Sequence, residues 1–280
     1  MQRWLTYQKE RFPLLAHFPL VLLTSWCVLS FASPEPVKIG TLLLVTLLIL
    51  GLFFQLRVFD EFKDYEEDKT YRPYRAVPRG LITLRELRNV GLFVAGFQLT
   101  ATYSWNYPSL TLLLVCWIYM VLMGKEFFNP EWLKKQPLLY MLSHLPIVAL
   151  IQMYAASFVW DLDFPPATWV LALVSLSGGA LLEYGRKIRP PEKEEHGVQT
   201  YSALWGIPRA LMTWFLAGSF GVFALGFAGG GWWVLSVFYG LMFPYALISA
   251  LRKSALWLKF VELFSAIWIV LMYLALARFP

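Results

Sequence analysis

A chain of 280 residues that is 58% apolar and only 15% charged cannot hide its apolar surface inside a water-soluble domain. Its 13 tryptophans and 14 tyrosines suit interfacial belts and ring-lined pockets better than a soluble core. The formal charge of +6 is carried by short segments between apolar runs, a placement that serves membrane topology and excludes a nucleic-acid surface.

The chain starts with a mixed polar segment containing Arg3, Lys9 and Arg11. No small-residue cleavage pattern follows the first apolar run, so no cleavable signal is expected. Nine spans can be drawn, at roughly 15–32, 39–59, 87–105, 108–124, 138–159, 167–184, 209–228, 231–251 and 256–277. With loops on alternating sides, 22 of the 24 Lys and Arg residues fall on one side, and only Lys38 and Arg278 on the other. The positive-inside rule then puts the N-terminus and the charged loops in the cytoplasm and the C-terminus outside, with Asp161 and Asp163 in a short outer turn. Cys27 and Cys116 lie within spans and read as packing residues. The expected fold is all-α, a polytopic membrane protein of nine helices forming one domain over residues 1–280.

The second span runs into Arg57-Val58-Phe59-Asp60-Glu61-Phe62-Lys63-Asp64-Tyr65-Glu66-Glu67-Asp68. On a continuous helix a spacing of four places Asp60, Asp64 and Asp68 on one face. Stacked carboxylates repel one another unless a cation neutralises them, and their oxygens suit Mg²⁺. Arg72 and Arg75 come next, within Arg72-Pro73-Tyr74-Arg75, with guanidinium groups able to grip phosphate bidentately. Pro73, Pro78 and Gly80 end any helix beyond Asp68. Carboxylates and arginines at the mouth of a span point to a diphosphate on a lipid-like tail.

This pattern, Asp60-x-x-x-Asp64-x-x-x-Asp68 then Arg72-Pro73-x-Arg75, resembles the first aspartate-rich motif of the UbiA-type intramembrane prenyltransferases. Asp60 stands where that family usually has Asn, and Ala76 where it usually has a second Pro. The resemblance implies nine helices around a central cavity capped by two charged loops. It also implies Mg²⁺ held by Asp60, Asp64 and Asp68 as the catalytic acidic residues.

Further along, His144 lies in Leu142-Ser143-His144-Leu145-Pro146, with Gln98 and Gln152 also in spans. Polar groups at such depth usually face the bundle interior. His144 is read either as a group polarising an acceptor hydroxyl or as a hydrogen-bonded core histidine. Gly178-Gly179 and Gly229-Gly230-Gly231 read as close packing and a tight turn.

The second charged loop, about 185–208, comes after the sixth span, where the family has a second Asp-x-x-x-Asp motif. No aspartate occurs here. Gly197-x-x-Thr200 and Leu204-Trp205-Gly206 resemble the family's residues just downstream of that motif and set the register. Glu183, Glu192 and Glu195 are the candidates for a second metal pole. Arg186, Lys187 and Arg189 are candidates for diphosphate binding, with inside-positive anchoring as their plainer role.

The expected activity is Mg²⁺-dependent transfer of a prenyl group from an isoprenyl diphosphate to a lipophilic acceptor, aromatic or lipid, within the membrane. The altered second motif keeps a prenyl diphosphate cyclase, which needs no acceptor, as the alternative. A non-enzymatic transporter is a more distant one, since charge gathers at one face and not near the midplane. No nucleic-acid partner is expected.

Overall fold

The structure, a computed structural model, describes every residue except 1, 34, 161, 163, 164, 195–197, 228–231, 253–257, 259, 279 and 280. Glu195 and Gly197, Asp161 and Asp163, the Gly229–Gly231 run, and Lys253 and Lys259 therefore lie outside the described residues. The chain forms two compact units, Met1–Asp163 and Phe164–Pro280.

Unit 1 contains α1 (Gln2–Arg11), α2 (Leu14–Ala32), α3 (Ile39–Lys63), α4 (Tyr65–Tyr71), α5 (Leu84–Trp105), α6 (Leu110–Gly124), α7 (Pro130–Lys134), α8 (Pro137–His144) and α9 (Pro146–Trp160). In a bilayer every backbone N–H must be paired within its own segment, so unbroken apolar runs settle as helices. The centre of the unit is α3, which packs against α2, α5, α6 and α9. Val45, Leu48, Ile49 and Leu52 of α3 are fully buried. Close approach of α5 depends on Gly51, where an added Cβ would lie 2.8 Å from the Gln98 amide nitrogen. That nitrogen donates to the Leu48 carbonyl at 2.9 Å. Polar side chains also stitch the unit: Trp117 Nε1 donates to Gln55 Oε1, and Thr102 and Tyr154 share a bond of 2.6 Å. In lipid such pairs replace the hydrophobic drive that binds helices in water. Phe93, Leu92 and Leu15 project outward.

At one end of the unit, α1 lies across the first charged loop. Tyr7 is buried with Val58, Ala76, Val77, Ile82 and Leu87, so the loop after α4 is folded against α1 and α3. A Thr83–Glu86 capping box then starts α5.

Unit 2 contains α10 (Thr168–Lys187), α11 (Tyr201–Trp205), α12 (Ile207–Phe227), α13 (Trp232–Arg252) and α14 (Val261–Leu276). Here α10 packs on α12 and α14, with Ser175 bonded to the Tyr273 hydroxyl and Trp214 Nε1 donating to Ser265 Oγ.

Among the described residues the fold is all-helical, as expected. Among those residues six helical stretches are long and apolar enough to cross a membrane: Leu14–Ala32, Ile39–Lys63, Tyr107–Gly124, Pro137–Trp160, Thr168–Lys187 and Ile207–Gly226. Shorter apolar stretches, Gly240–Ser249 and Val261–Leu276, occupy the eighth and ninth positions, and α5 occupies the third. The chain is thus an integral membrane protein.

Candidate active site

Backbone geometry at the end of α3 decides what the acidic residues can do. Helical dihedrals stop at Asp64, with φ −92° and ψ 3°, and α4 restarts at Tyr65. The i to i−4 bonds continue through the bend, Asp64 N–H to Asp60 O and Asp68 N–H to Asp64 O. Asp60, Asp64 and Asp68 therefore belong to a helix end, a bend and a second short helix. Among the described residues no three acidic, His or Cys side chains converge on a metal-sized site.

The three aspartates differ sharply in surroundings. Asp60, 44% exposed, has only long ionic contacts, 3.6 Å to Arg57 and 3.9 Å to Lys63. The Asp64 side chain is half-buried and forms no hydrogen bond or ion pair. Burial, and after it the charges of Asp60, Asp68 and Glu67, raise its pKa despite Lys63. Asp68 is buried and saturated by cations: Arg75 Nη1 donates to both oxygens at 2.7 and 2.9 Å. Arg72 Nε lies 2.9 Å from Asp68 Oδ1 but is angled too far off for a hydrogen bond, while Arg72 Nη2 donates to Glu67 at 2.8 Å. The structure thus brings Arg72 and Arg75 onto Asp68.

Two residues that sequence reasoning passed over complete this cluster. Glu61, 2% exposed, accepts from Arg11 Nε at 2.5 Å, and Arg11 Nη2 lies 4.0 Å from Asp68. Burial lowers the Arg11 pKa, but the bond and charge of Glu61 outweigh it and the net shift is upward. Glu61 stood in the acidic run and was legible as a candidate. Nothing in the sequence ties position 11 to position 61.

In unit 2, Glu183 is tied to Arg186 at 2.5 Å and Lys187 at 2.8 Å, one turn along the same helix. Arg186, Arg189 and Glu192 line one cleft of about 640 Å³ with Lys193, Glu194 and Glu262; Glu183 and Lys187 are not in its lining. Lys187 instead lies over the Tyr201 ring, 5.6 Å from its centroid. Glu192 is exposed on the turn Pro191–Lys193. Glu194, not singled out from sequence, accepts from Thr200 Oγ1 at 2.6 Å and Ser202 Oγ at 2.7 Å.

Residues 20–268 match the UbiA prenyltransferase family. Two solved structures share the fold. A digeranylgeranylglyceryl phosphate synthase superposes with a TM-score of 0.68 at 17% identity, covering 100% of this chain and 99% of that one. An apo UbiA homologue from Aeropyrum pernix K1 gives 0.63 at 16% identity, covering 92% and 94%. No curated protein matches the sequence. The chain belongs to the UbiA prenyltransferase family, and it is a membrane-embedded enzyme of that prenyltransferase type.

Proposed function

We propose that residues 1–280 act as one membrane-embedded domain that transfers a prenyl group from an isoprenyl diphosphate to an aromatic or lipid acceptor. The observation carrying this reading is the division of labour at the end of α3. Asp60 and Asp64 keep their oxygens free of hydrogen bonds, while Asp68 holds Arg72 and Arg75 in place.

Free carboxylate oxygens suit a hard divalent cation, and an unpartnered, half-buried Asp64 is a group that a cation would satisfy. Asp60 and Asp64 fit Mg²⁺; Asp68 fits only after releasing its arginines. When bound there, Mg²⁺ supplies positive charge against the diphosphate as it leaves. Arg72 and Arg75 grip the diphosphate oxygens, and Arg72 Nε, poorly aligned on Asp68, has an N–H to offer. The allylic C–O bond then breaks in apolar surroundings where little water is present to quench the cation. In the second unit, Arg186, Lys187 and Arg189 are assigned to diphosphate binding, with Glu192, exposed on its turn, as an acidic side chain open to a cation. Glu183, held by its own salt bridges, is the weaker metal ligand of the two.

A second reading, cyclisation of the prenyl chain without an acceptor, is supported by that commitment of Glu183, which leaves one evident carboxylate pole. Mass spectrometry of products tests both. Purified protein is incubated with Mg²⁺ and geranyl, farnesyl or geranylgeranyl diphosphate, with and without a lipid extract. Transfer gives diphosphate and a prenylated product only with the extract; a cyclic hydrocarbon without it favours the second reading. Release of diphosphate from none of the three substrates would overturn the proposal.

A further inference from the structure

A buried group of polar side chains stands beside the acidic motif, and neither motif of the sequence includes it. Glu126 is only 4% exposed. It sits on a turn in which Glu126, Phe127 and Phe128 all have positive φ, at 48°, 51° and 62°. Residues other than glycine disfavour that region, so such a turn persists where surrounding contacts impose it.

Those contacts converge on Lys63, the last residue of α3. Lys63 Nζ donates to Tyr140 Oη at 2.8 Å. An ammonium only donates, so the Tyr140 hydroxyl keeps its own hydrogen to give, and it donates to Glu126 Oε1 at 3.0 Å. Lys63 Nζ also lies 3.6 Å from Glu126 Oε1. The Tyr140 ring is itself held: His144 stacks on it with centroids 4.2 Å apart, and His144 Nδ1 lies 2.7 Å from the Tyr140 carbonyl oxygen. Phe127 meets the edge of the His144 ring. With its side chain only 16% exposed, Lys63 is fixed in place and little screened by solvent.

The same ammonium lies 3.9 Å from Asp60 Oδ1. Arg57 lies 3.6 Å from Asp60 Oδ2, but it has no hydrogen bond and can withdraw. Lys63 cannot, because its departure would leave Glu126 buried without its ammonium partner. Asp60, and Asp64 one residue after Lys63, are the carboxylates whose oxygens stay clear of hydrogen bonds. A divalent cation drawn to them therefore approaches a positive charge that stays where it is, and like charges repel more strongly where water is scarce.

We propose that Lys63 is a positioning residue of the first motif: anchored by Tyr140 and Glu126, its ammonium is a fixed counter-charge to Asp60 that holds down the affinity of the motif for a divalent cation. The inference rests on the proposed function, in which Asp60 and Asp64 are the carboxylates that fit Mg²⁺. Lys63 acts through Asp60 and touches neither the cation nor the diphosphate. Part of the attraction for the cation is then left to the negative charge of the diphosphate. The sign of the effect separates this role from a structural one. Removing a residue that merely braced the helix end would loosen the carboxylates and weaken cation binding, whereas removing a repelling charge tightens it.

The test reads cation binding without turnover. Protein in phosphatidylcholine nanodiscs is titrated with Mn²⁺, free Mn²⁺ is followed by electron paramagnetic resonance, and the site of interest is the one lost in Asp64→Asn. Lys63→Met should bind Mn²⁺ there about tenfold more tightly than the wild type, while Lys63→Arg, which keeps the charge, should stay within about threefold of it. Glu126→Gln leaves the ammonium to Asp60 alone and should weaken binding by about threefold. If Lys63→Met fails to fold, Lys63→Met combined with Glu126→Gln removes both charges of the buried pair and decides in the same way. Binding by the Lys63→Met protein that is no tighter than wild type, or a Lys63→Arg protein that tightens as much as Lys63→Met, overturns the role of Lys63 and leaves Asp60 and Asp64 as metal ligands. Binding by Glu126→Gln as tight as wild type overturns the anchoring by Glu126. If Asp64→Asn loses no Mn²⁺ site, the assignment of the metal to Asp60 and Asp64 falls, and the role of Lys63 with it.

Discussion

Half-buried beside Asp60 and Asp68, with no hydrogen bond to its carboxyl group, Asp64 keeps its proton to higher pH than a solvated aspartate does, mainly because burial disfavours the charged form. Its folded pKa is raised above the ordinary 3.8, so its contribution to stability is fully present below that value and is lost as pH rises through the folded pKa. Asp64→Asn should therefore raise Tm at pH 7, and the gain should vanish below about pH 3.8. Millimolar Mg²⁺ should raise the Tm of the wild type and not of Asp64→Asn; an equal rise in both would remove Asp64 from the metal site. Asp68 should behave oppositely. Asp68→Asn strips the shared partner from Arg72 and Arg75 in a buried setting and should cost about 2–4 kcal/mol, read by thermal unfolding. Asp60→Asn, at an exposed position with long ionic contacts, should change stability by less than about 1 kcal/mol. Alike in sequence, these three residues are set apart by what surrounds each carboxylate.

Among the elements, α3 and the turn after α6 show how local sequence and neighbours share the decisions. The apolar run of α3 marks a helix because nothing in it offers the backbone another partner. Where it ends was not legible: no Gly or Pro stands at Asp64, and the bend arises where the chain leaves α3 to pack Tyr65 and the loop beyond α4 against Tyr7 and Val58. The left-handed turn Glu126–Phe128 is likewise unmarked, since sequence rules reserve positive φ for Gly and Asn. Phe128 is 74% exposed, so its side chain contributes little packing. Phe128→Gly should therefore stabilise the protein by about 1 kcal/mol, seen as a rise of a few degrees in Tm. A fall would mean that the turn is not held against its preference.

At the scale of the whole molecule, the apolar runs and the placement of Lys and Arg predict which segments cross and which side each loop faces. Cysteines introduced at Ser33 and Ser104 should be labelled only from outside, and one at Gln199 only from the cytoplasm; outside labelling of Gln199 would overturn that topology. The helical class, the membrane location, the UbiA resemblance and the acidic-arginine motif were all legible in sequence. Each rests on periodicity, composition or spacing within a few turns of chain. The pairing of Arg11 with Glu61, the capture of Asp68 by Arg72 and Arg75, and the Lys63–Glu126–Tyr140–His144 network were not. These join residues up to 81 positions apart, from Lys63 to His144, and such contacts are chosen by helix packing in three dimensions. Sequence determined where the candidate acidic and basic groups stand along the chain; tertiary structure decided which of their charges are already satisfied and which are left without a partner.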